Sequence, residues 1–347
     1  MEYSIAGLED GSTPSMEFIE GASPLSLGTS SPKAKATAIL EEVLQFRRMA
    51  SAHVCGPDCG TCKAPHLPKV LRAIVQDRPI TFVLPAFPGK SPNLAKVLGP
   101  LPDMAEERSL EFLENLCKKI GESHSPGAKI ILCSDGRVFS DAVGIREEDI
   151  SAYQDELSAI IERRSFTSIS TFNLDDVYPG IGFEDMRSDL MEKYGRSLEE
   201  LRGMVREGSR EEGLPADKDA HRLYCGITRF LFEDSMHPEQ KQSRAAVQKD
   251  ARRRAYEVIR RSNAWSGLIE NLFPDSVRLS IHPQACGSKK LGIRLLEGDS
   301  WMTPWHGVAV EVRGQTHLLK KTQAEALGAR LVELAGRPSH YVLSEIV

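Results

Sequence analysis

The feature that most restricts the fold is a repeated unit: a short apolar run, a punctuated loop, then a segment with helical spacing. Residues 80–84 (Ile-Thr-Phe-Val-Leu) form the first run and break into the Pro- and Gly-rich loop 85–93. Asp103 with Glu106 three residues on reads as a capping box, since each side chain can accept the other's backbone N–H. It opens a helix carrying Leu110, Leu113, Leu116 and Ile120 and stopping at Gly121. A second run, 129–133, passes at once into Ser134-Asp135-Gly136-Arg137, and a helix follows over 147–163. A third run, 166–171, leads into Asn173-Leu174-Asp175-Asp176. Strand, loop, helix in succession predicts an α/β fold: a Rossmann-like, largely parallel sheet with flanking helices. Ligands of such sheets collect beyond the carboxyl ends of the strands, so loops 85–93, 134–137 and 173–176 are the places to look.

The rest of the chain is arranged around that unit. Residues 1–34 are rich in Ser, Gly, Pro and Glu and read as a disordered tail. A helix begins near Lys35 with Ile39, Leu40, Val43 and Leu44 on one face. Residues 184–262 are charged and helical, an insertion into one α/β domain spanning 35–347. Strand character returns at 277–281, at 291–295 and in a hairpin around Arg313-Gly314. A helix over 322–335 is expected from the spacing of Ala324, Leu327, Leu331 and Leu334.

A net charge of −5 and a pI of about 6.0 give no electrostatic reason to expect nucleic acid or an anionic membrane as partner. The basic run 249–254 has acidic neighbours and reads as a solvated helix face. The apolar runs are strand-sized, far short of a membrane span, and the chain opens without a signal sequence. A cytoplasmic protein is expected. Seven cysteines in 347 residues do not suggest a disulfide framework.

Two short motifs fail on inspection. Gly89-Lys90-Ser91 looks like the end of a phosphate-binding loop, but Leu84 stands where that loop needs its first glycine. Gly180-Ile181-Gly182 begins a dinucleotide fingerprint that Asp185 breaks. Cys55-x3-Cys59-x2-Cys62 carries more weight. It has the spacing of a three-thiolate iron–sulfur site. It also suits a structural zinc site with His53 or His66 as fourth ligand, or a tight loop with reduced thiols. Two functions other than the one below follow from this triad: a radical S-adenosylmethionine enzyme, or a non-catalytic, zinc-stabilised binding protein.

Residues 79–93 and 97–106, Ser134-Asp135-Gly136-Arg137, His221-Arg222-Leu223-Tyr224, Arg278-Leu279-Ser280-Ile281-His282-Pro283 and Thr303-Pro304-Trp305-His306 together resemble the isocyanide (isonitrile) synthase family, which includes the pyoverdine/dityrosine biosynthesis proteins. The likeness runs from about Ile39 onward. It implies a secondary-metabolite enzyme that needs no organic cofactor. Such an enzyme condenses the α-amine of an amino acid with the ketone of ribulose-5-phosphate, passes through an imine, and releases an isonitrile to a downstream modifying enzyme.

That chemistry needs cations for a phosphate and a carboxylate, and groups that move protons near neutral pH. Lys90, Asp135, His282 and His306 are the candidates for proton transfer. Arg137, Arg222 and Arg229 are the candidates for gripping the anions, the last two sharing a helix face at a spacing of seven. Each has a plainer reading: an exposed loop lysine, an Asp-Gly turn, hydrogen-bonded structural histidines, and arginines paired along a solvent face, as Glu233 four after Arg229 suggests. Trp301 and Trp305 are candidate walls of a pocket or plain core.

Overall fold

The computed structural model describes residues 31–50, 55–237, 239–298 and 302–343, and everything below concerns these. Most of the predicted tail therefore lies outside the described residues. Helix α1 (Pro32–Leu44) buries Ile39, Leu40, Val43 and Leu44, starting slightly earlier than its spacing indicated. The short α2 (Gly60–Lys63) and α3 (Leu67–Val75) follow. Then comes the alternating unit: β1 (Ile80–Leu84), α4 (Met104–Ser123), β2 (Ala128–Cys133), α5 (Gly136–Val143), α6 (Glu147–Arg163) and β3 (Ile169–Phe172). The Asp103/Glu106 capping box is present, and α4 runs through Gly121 to Ser123. Five helices, α7 (Leu174–Val177), α8 (Phe183–Tyr194), α9 (Leu198–Gly208), α10 (Pro215–Ser235) and α11 (Arg244–Leu272), separate β3 from β4 (Val277–Ser280) and β5 (Leu291–Gly292).

These five strands form one all-parallel sheet in the order β3-β2-β1-β4-β5, so the Rossmann-like fold class is borne out. Strand geometry explains the two cores on either side, because successive side chains point to opposite faces. Ile80, Phe82 and Leu84 pack with α1, α3, α4 and α6. Val83 and Cys133 face α5, α8, α10 and α11. Trp265 of α11 anchors the second face: its indole donates to the Cys133 carbonyl at 3.2 Å and its ring stacks on Phe172 at 5.7 Å. Burying a ring of that size contributes about 2–3 kcal/mol.

A second, mixed sheet follows from β6 (Val308–Val312), β7 (Gln315–Leu319), β8 (Arg330–Leu334) and β9 (Arg337–Leu343), in the order β7-β6-β9-β8. The hairpin at Arg313-Gly314 is present, both residues having positive φ as a primed turn needs. The helix expected over 322–335 is not. Helix α12 covers only Lys321–Ala326, and Gly328, at φ +72°, turns the chain out of it. Ala329 then donates back to the Ala324 carbonyl, the bond pattern of a glycine-stopped helix. Leu327, Leu331 and Leu334 are all exposed, so their spacing reflects no buried face. A similar stop shifts β3: Ser165 takes a positive φ and Phe166 donates to the Ile161 carbonyl, so Phe166 closes α6 instead of opening the strand.

Candidate active site

Strand order reverses between β1 and β4, where β2 lies on one side and β5 on the other. The loops leaving those strands diverge there, and a crevice of about 1650 Å³ opens between them. Pro85, Ala86, Pro88, Gly89 and Ser91 come from the end of β1, Asp135 from the end of β2, and His282 to Ser288 from the end of β4. Helices α9, α10 and α11 and the turn Pro304–His306 supply further walls. Gly136 allows the β1 and β2 loops to meet: a Cβ there would lie 2.0 Å from the Pro88 carbonyl oxygen.

Asp135 stands at the floor. It precedes α5 but makes no side-chain cap, and its Oδ1 is shielded from solvent with no hydrogen-bond partner. Burial pushes the carboxyl up to about 7, against the pull of its own backbone N–H and of Arg278. Arg278, on β4, is underpaired as well. It donates to Ser266 at 3.0 Å, one terminal nitrogen has no partner, and burial draws it down to about 10. A carboxyl balanced between its two protonation states near neutrality is suited to giving and taking a proton.

A second polar group in the crevice is assembled from three parts of the chain. His306 Nε2 lies 3.7 Å from Asp234 Oδ2 of α10, and its Nδ1 lies 3.2 Å from the Thr303 hydroxyl. Asp234 also accepts from Ser91 Oγ at 2.8 Å and from Lys96. Burial would raise this carboxyl, but His306 and Lys96 outweigh it and hold Asp234 at about 2. It is therefore a fixed anion that orients His306, while Asp135 is a variable one. His282 opens onto the crevice, yet the protein mass around it and the cations of Lys290 and Arg48, with His306, depress it to about 4. At neutral pH it is an uncharged ring.

The structure brings Asp135, His282, His306 and Arg222 together in one crevice and sets the other candidates apart. Lys90 is not an exposed loop lysine. It is buried, with Asp103 at 2.8 Å, Glu106 at 2.7 Å and the Pro304 carbonyl at 3.0 Å, and it does not line the crevice. Burial pulls its ammonium down, and the two carboxylates outweigh that to leave it above the ordinary lysine value. What it does is latch the β1 loop to the turn that carries His306. Arg137 is also fully engaged away from the crevice, with Asp175 at 3.1 Å, Glu147 at 2.8 Å, the Glu147 carbonyl at 2.9 Å, and Ser151. Arg222 reaches the crevice edge and pairs with Asp219 at 3.2 Å. Arg229 pairs with Glu233 at 3.0 Å on the solvent side, the plainer of its two readings. Seven residues advance a helix by about 10 Å, enough to carry the same face past the crevice.

The cysteine loop also needs correction. Cys55, Cys59 and Cys62 do converge, but His66 is not with them: it is buried at the start of α3, and burial depresses its ring to about 4. His53 lies outside the described residues, as does Trp301. The fourth member of the group is Cys286, from the loop after β4.

Fold and crevice together define a class: a parallel α/β protein with a crevice at the switch point of its sheet, lined by a buried carboxyl and two histidines. The comparisons are more specific. Residues 70–332 match the profile of the pyoverdine/dityrosine biosynthesis protein family. The chain is 43% identical over 310 residues to L-tryptophan isonitrile synthase AmbI2 of Fischerella ambigua, covering 88% of this chain and 91% of that protein. It is 44% identical over 312 residues to L-tyrosine isonitrile synthase of Xenorhabdus nematophila, covering 88% and 90%. The crystal structure of the PvcA protein from Pseudomonas aeruginosa matches with a TM-score of 0.83 at 43% identity, covering 89% of this chain and all of that one. The chain belongs to the pyoverdine/dityrosine biosynthesis protein family, and the resemblance read from its motifs is borne out. No helix among the described residues is long and apolar enough to cross a membrane.

Proposed function

We propose that this protein is an isonitrile synthase that turns the α-amino group of an aromatic amino acid into an isocyanide, with ribulose-5-phosphate as carbon donor and an imine between them. The observation that carries this reading is the identity of more than two-fifths, across most of the chain, to tryptophan and tyrosine isonitrile synthases. The crevice supports it. It has room for two substrates, and Arg222, Arg244 and Lys290 on its walls offer cations to a phosphate and a carboxylate. Phe230, Phe232 and Trp305 give it an aromatic side suited to an indole or phenol.

In this reading Asp135 carries protons for imine formation and for the enolisation that follows, because its carboxyl exists in both forms near pH 7. His306, held by Asp234, serves the second proton transfer, and neutral His282 orients a hydroxyl of the sugar. The enzyme works in the cytoplasm and hands its reactive product to a modifying enzyme. The test is incubation of the purified protein with ribulose-5-phosphate labelled with carbon-13 at the ketone and a mixture of amino acids. A tetrazine trap and mass spectrometry then read the products. The expected product is a labelled isocyanide of tryptophan or tyrosine. Folded protein that yields no isocyanide from any amino acid would overturn the reading.

A further inference from the structure

Four sulfurs from two distant parts of the chain meet beside the crevice. Cys55, Cys59 and Cys62 come from the segment between α1 and α3, and Cys286 from the loop after β4. All four Sγ atoms lie within 4.8 Å of one another. Cys62 to Cys286 is 3.4 Å, Cys55 to Cys62 is 3.5 Å, Cys59 to Cys286 is 3.7 Å and Cys55 to Cys286 is 3.9 Å. None of these is a bond, and all four thiols are free. Four thiolates around one tetrahedral zinc, at about 2.3 Å from the metal, stand about 3.8 Å apart along each edge. The observed spacings are of that size. An iron–sulfur cluster is several atoms wide and pushes its ligand sulfurs well beyond mutual contact, so this cage suits a single ion. Four protein ligands also close the coordination sphere, which marks a structural site and not a catalytic one.

The surroundings show what such an ion would hold. Residues 46–50 run against the loop after β4 and the end of β5 through a series of backbone bonds: Arg48 to Gly292 at 2.9 Å, Gln284 to Arg48 at 3.0 Å, Ala50 to Gln284 at 3.0 Å and Arg294 to Phe46 at 2.9 Å. Arg48 also donates from its side chain to the Ile281 carbonyl at 2.8 Å, and Arg47 orders the cysteine loop through the Gly56 carbonyl at 2.7 Å. The far end of the β4 loop, residues 285–290, has no share in that series, and Cys286 is its tie to the segment on the other side. There Gly287 takes a positive φ and presses on Thr61, where a Cβ would meet the threonine methyl at 3.1 Å. The cage thus adds a second tie, beyond the backbone series, between the loop that carries His282 and the segment between α1 and α3.

We propose that Cys55, Cys59, Cys62 and Cys286 bind one zinc ion, which pins the crevice wall 282–287 to the segment between α1 and α3. The first test counts metal in the unmodified full chain, where folding of a variant is not in question. One zinc per chain is expected, surviving dialysis against EDTA. Exchange for cobalt should give the strong visible bands and near-ultraviolet sulfur-to-metal transition of a tetrahedral tetrathiolate. Cys286→Ser should retain zinc about tenfold less well against a chromogenic chelator, and His66→Ala as well as the parent. Hydrogen exchange should locate the effect: stripping the metal speeds exchange over 281–290 while β1 and β2 stay protected. A chain whose four cage thiols all react freely, or form a disulfide among themselves, with no bound zinc or cobalt would overturn the proposal. So would one iron in place of zinc, or equal loss of metal in His66→Ala and Cys286→Ser.

Discussion

Two buried charged groups follow neighbouring strands, Lys90 after β1 and Asp135 after β2, and they are built on opposite rules. Around Lys90 every charge has a partner. The ammonium meets Asp103, Glu106 and the Pro304 carbonyl, and Glu106 accepts from Tyr153 at 3.2 Å. Around Asp135 partners are missing on both sides: its Oδ1 and the Arg278 terminal nitrogen are each without one. A buried ion left unpaired costs several kcal/mol, so a fold keeps one only where something else completes it. The closed group is architecture. Under the proposed function, the open group is the one a substrate completes with the missing hydrogen bonds.

The sharpest way to break that contrast is to remove Lys90. Lys90→Met strands two carboxylates in the core and should cost about 3–5 kcal/mol, read as a Tm lower by about 5–10 °C. The loss should shrink at pH 5, where the stranded carboxyls take up protons. A loss as small as that of a surface lysine would show the group is not closed.

Asp135→Asn should do the reverse: keep the fold and lower kcat about 100-fold, equivalent to about 2.7 kcal/mol of barrier. Its effect on stability has a definite sign. The folded carboxyl titrates at about 7 instead of 3.8, so the folded chain binds the extra proton between those values. The stabilisation is complete below the lower value and lost as pH rises through the upper one. Urea melts of the parent should therefore weaken between pH 5 and 8 by about 2 kcal/mol more than those of Asp135→Asn. Parallel profiles for the two proteins would place the titration elsewhere.

Asp234→Asn tests the link between the fixed anion and His306. It should lower kcat about tenfold with KM little changed, and an unchanged kcat would show that the anion does not act through His306. The smallest effect belongs to Arg229, which only pairs with Glu233 on the surface. Arg229→Ala should change stability by no more than about 0.5 kcal/mol and leave turnover within twofold, whereas Arg222→Ala should raise KM.

How much of this was legible in the sequence depends on how local each signal was. Residues 80–84 and 129–133 announce buried strands because both faces of a parallel sheet are covered, and Asp103/Glu106 announces its helix in four residues. Asp135 could be singled out as the residue leaving a strand. Nothing local says that Asp135 faces the crevice while Arg137, two positions on, turns toward Glu147 and Asp175. Asp234 was invisible for another reason. It sits in a charged helix, and its partners Ser91, Lys96 and His306 come from elsewhere in the chain. Cys286 likewise has no local mark that joins it to the triad near residue 60. The mistaken helix over 322–335 shows the opposite hazard: leucines at helical spacing carry no information where none of them is buried.

The parallel pairing of β1 with β4, Phe82 against Val277, bears on how the protein is made. On the ribosome β1, β2 and β3 emerge early with the helices that cover them. The strand that completes the sheet beside β1 arrives only after the whole helical block has been synthesised. Until then β1 presents an open hydrogen-bonding edge of apolar residues, the kind of edge that recruits other chains. Truncations ending before Val277 leave that edge open for good and should precipitate instead of yielding a smaller soluble protein.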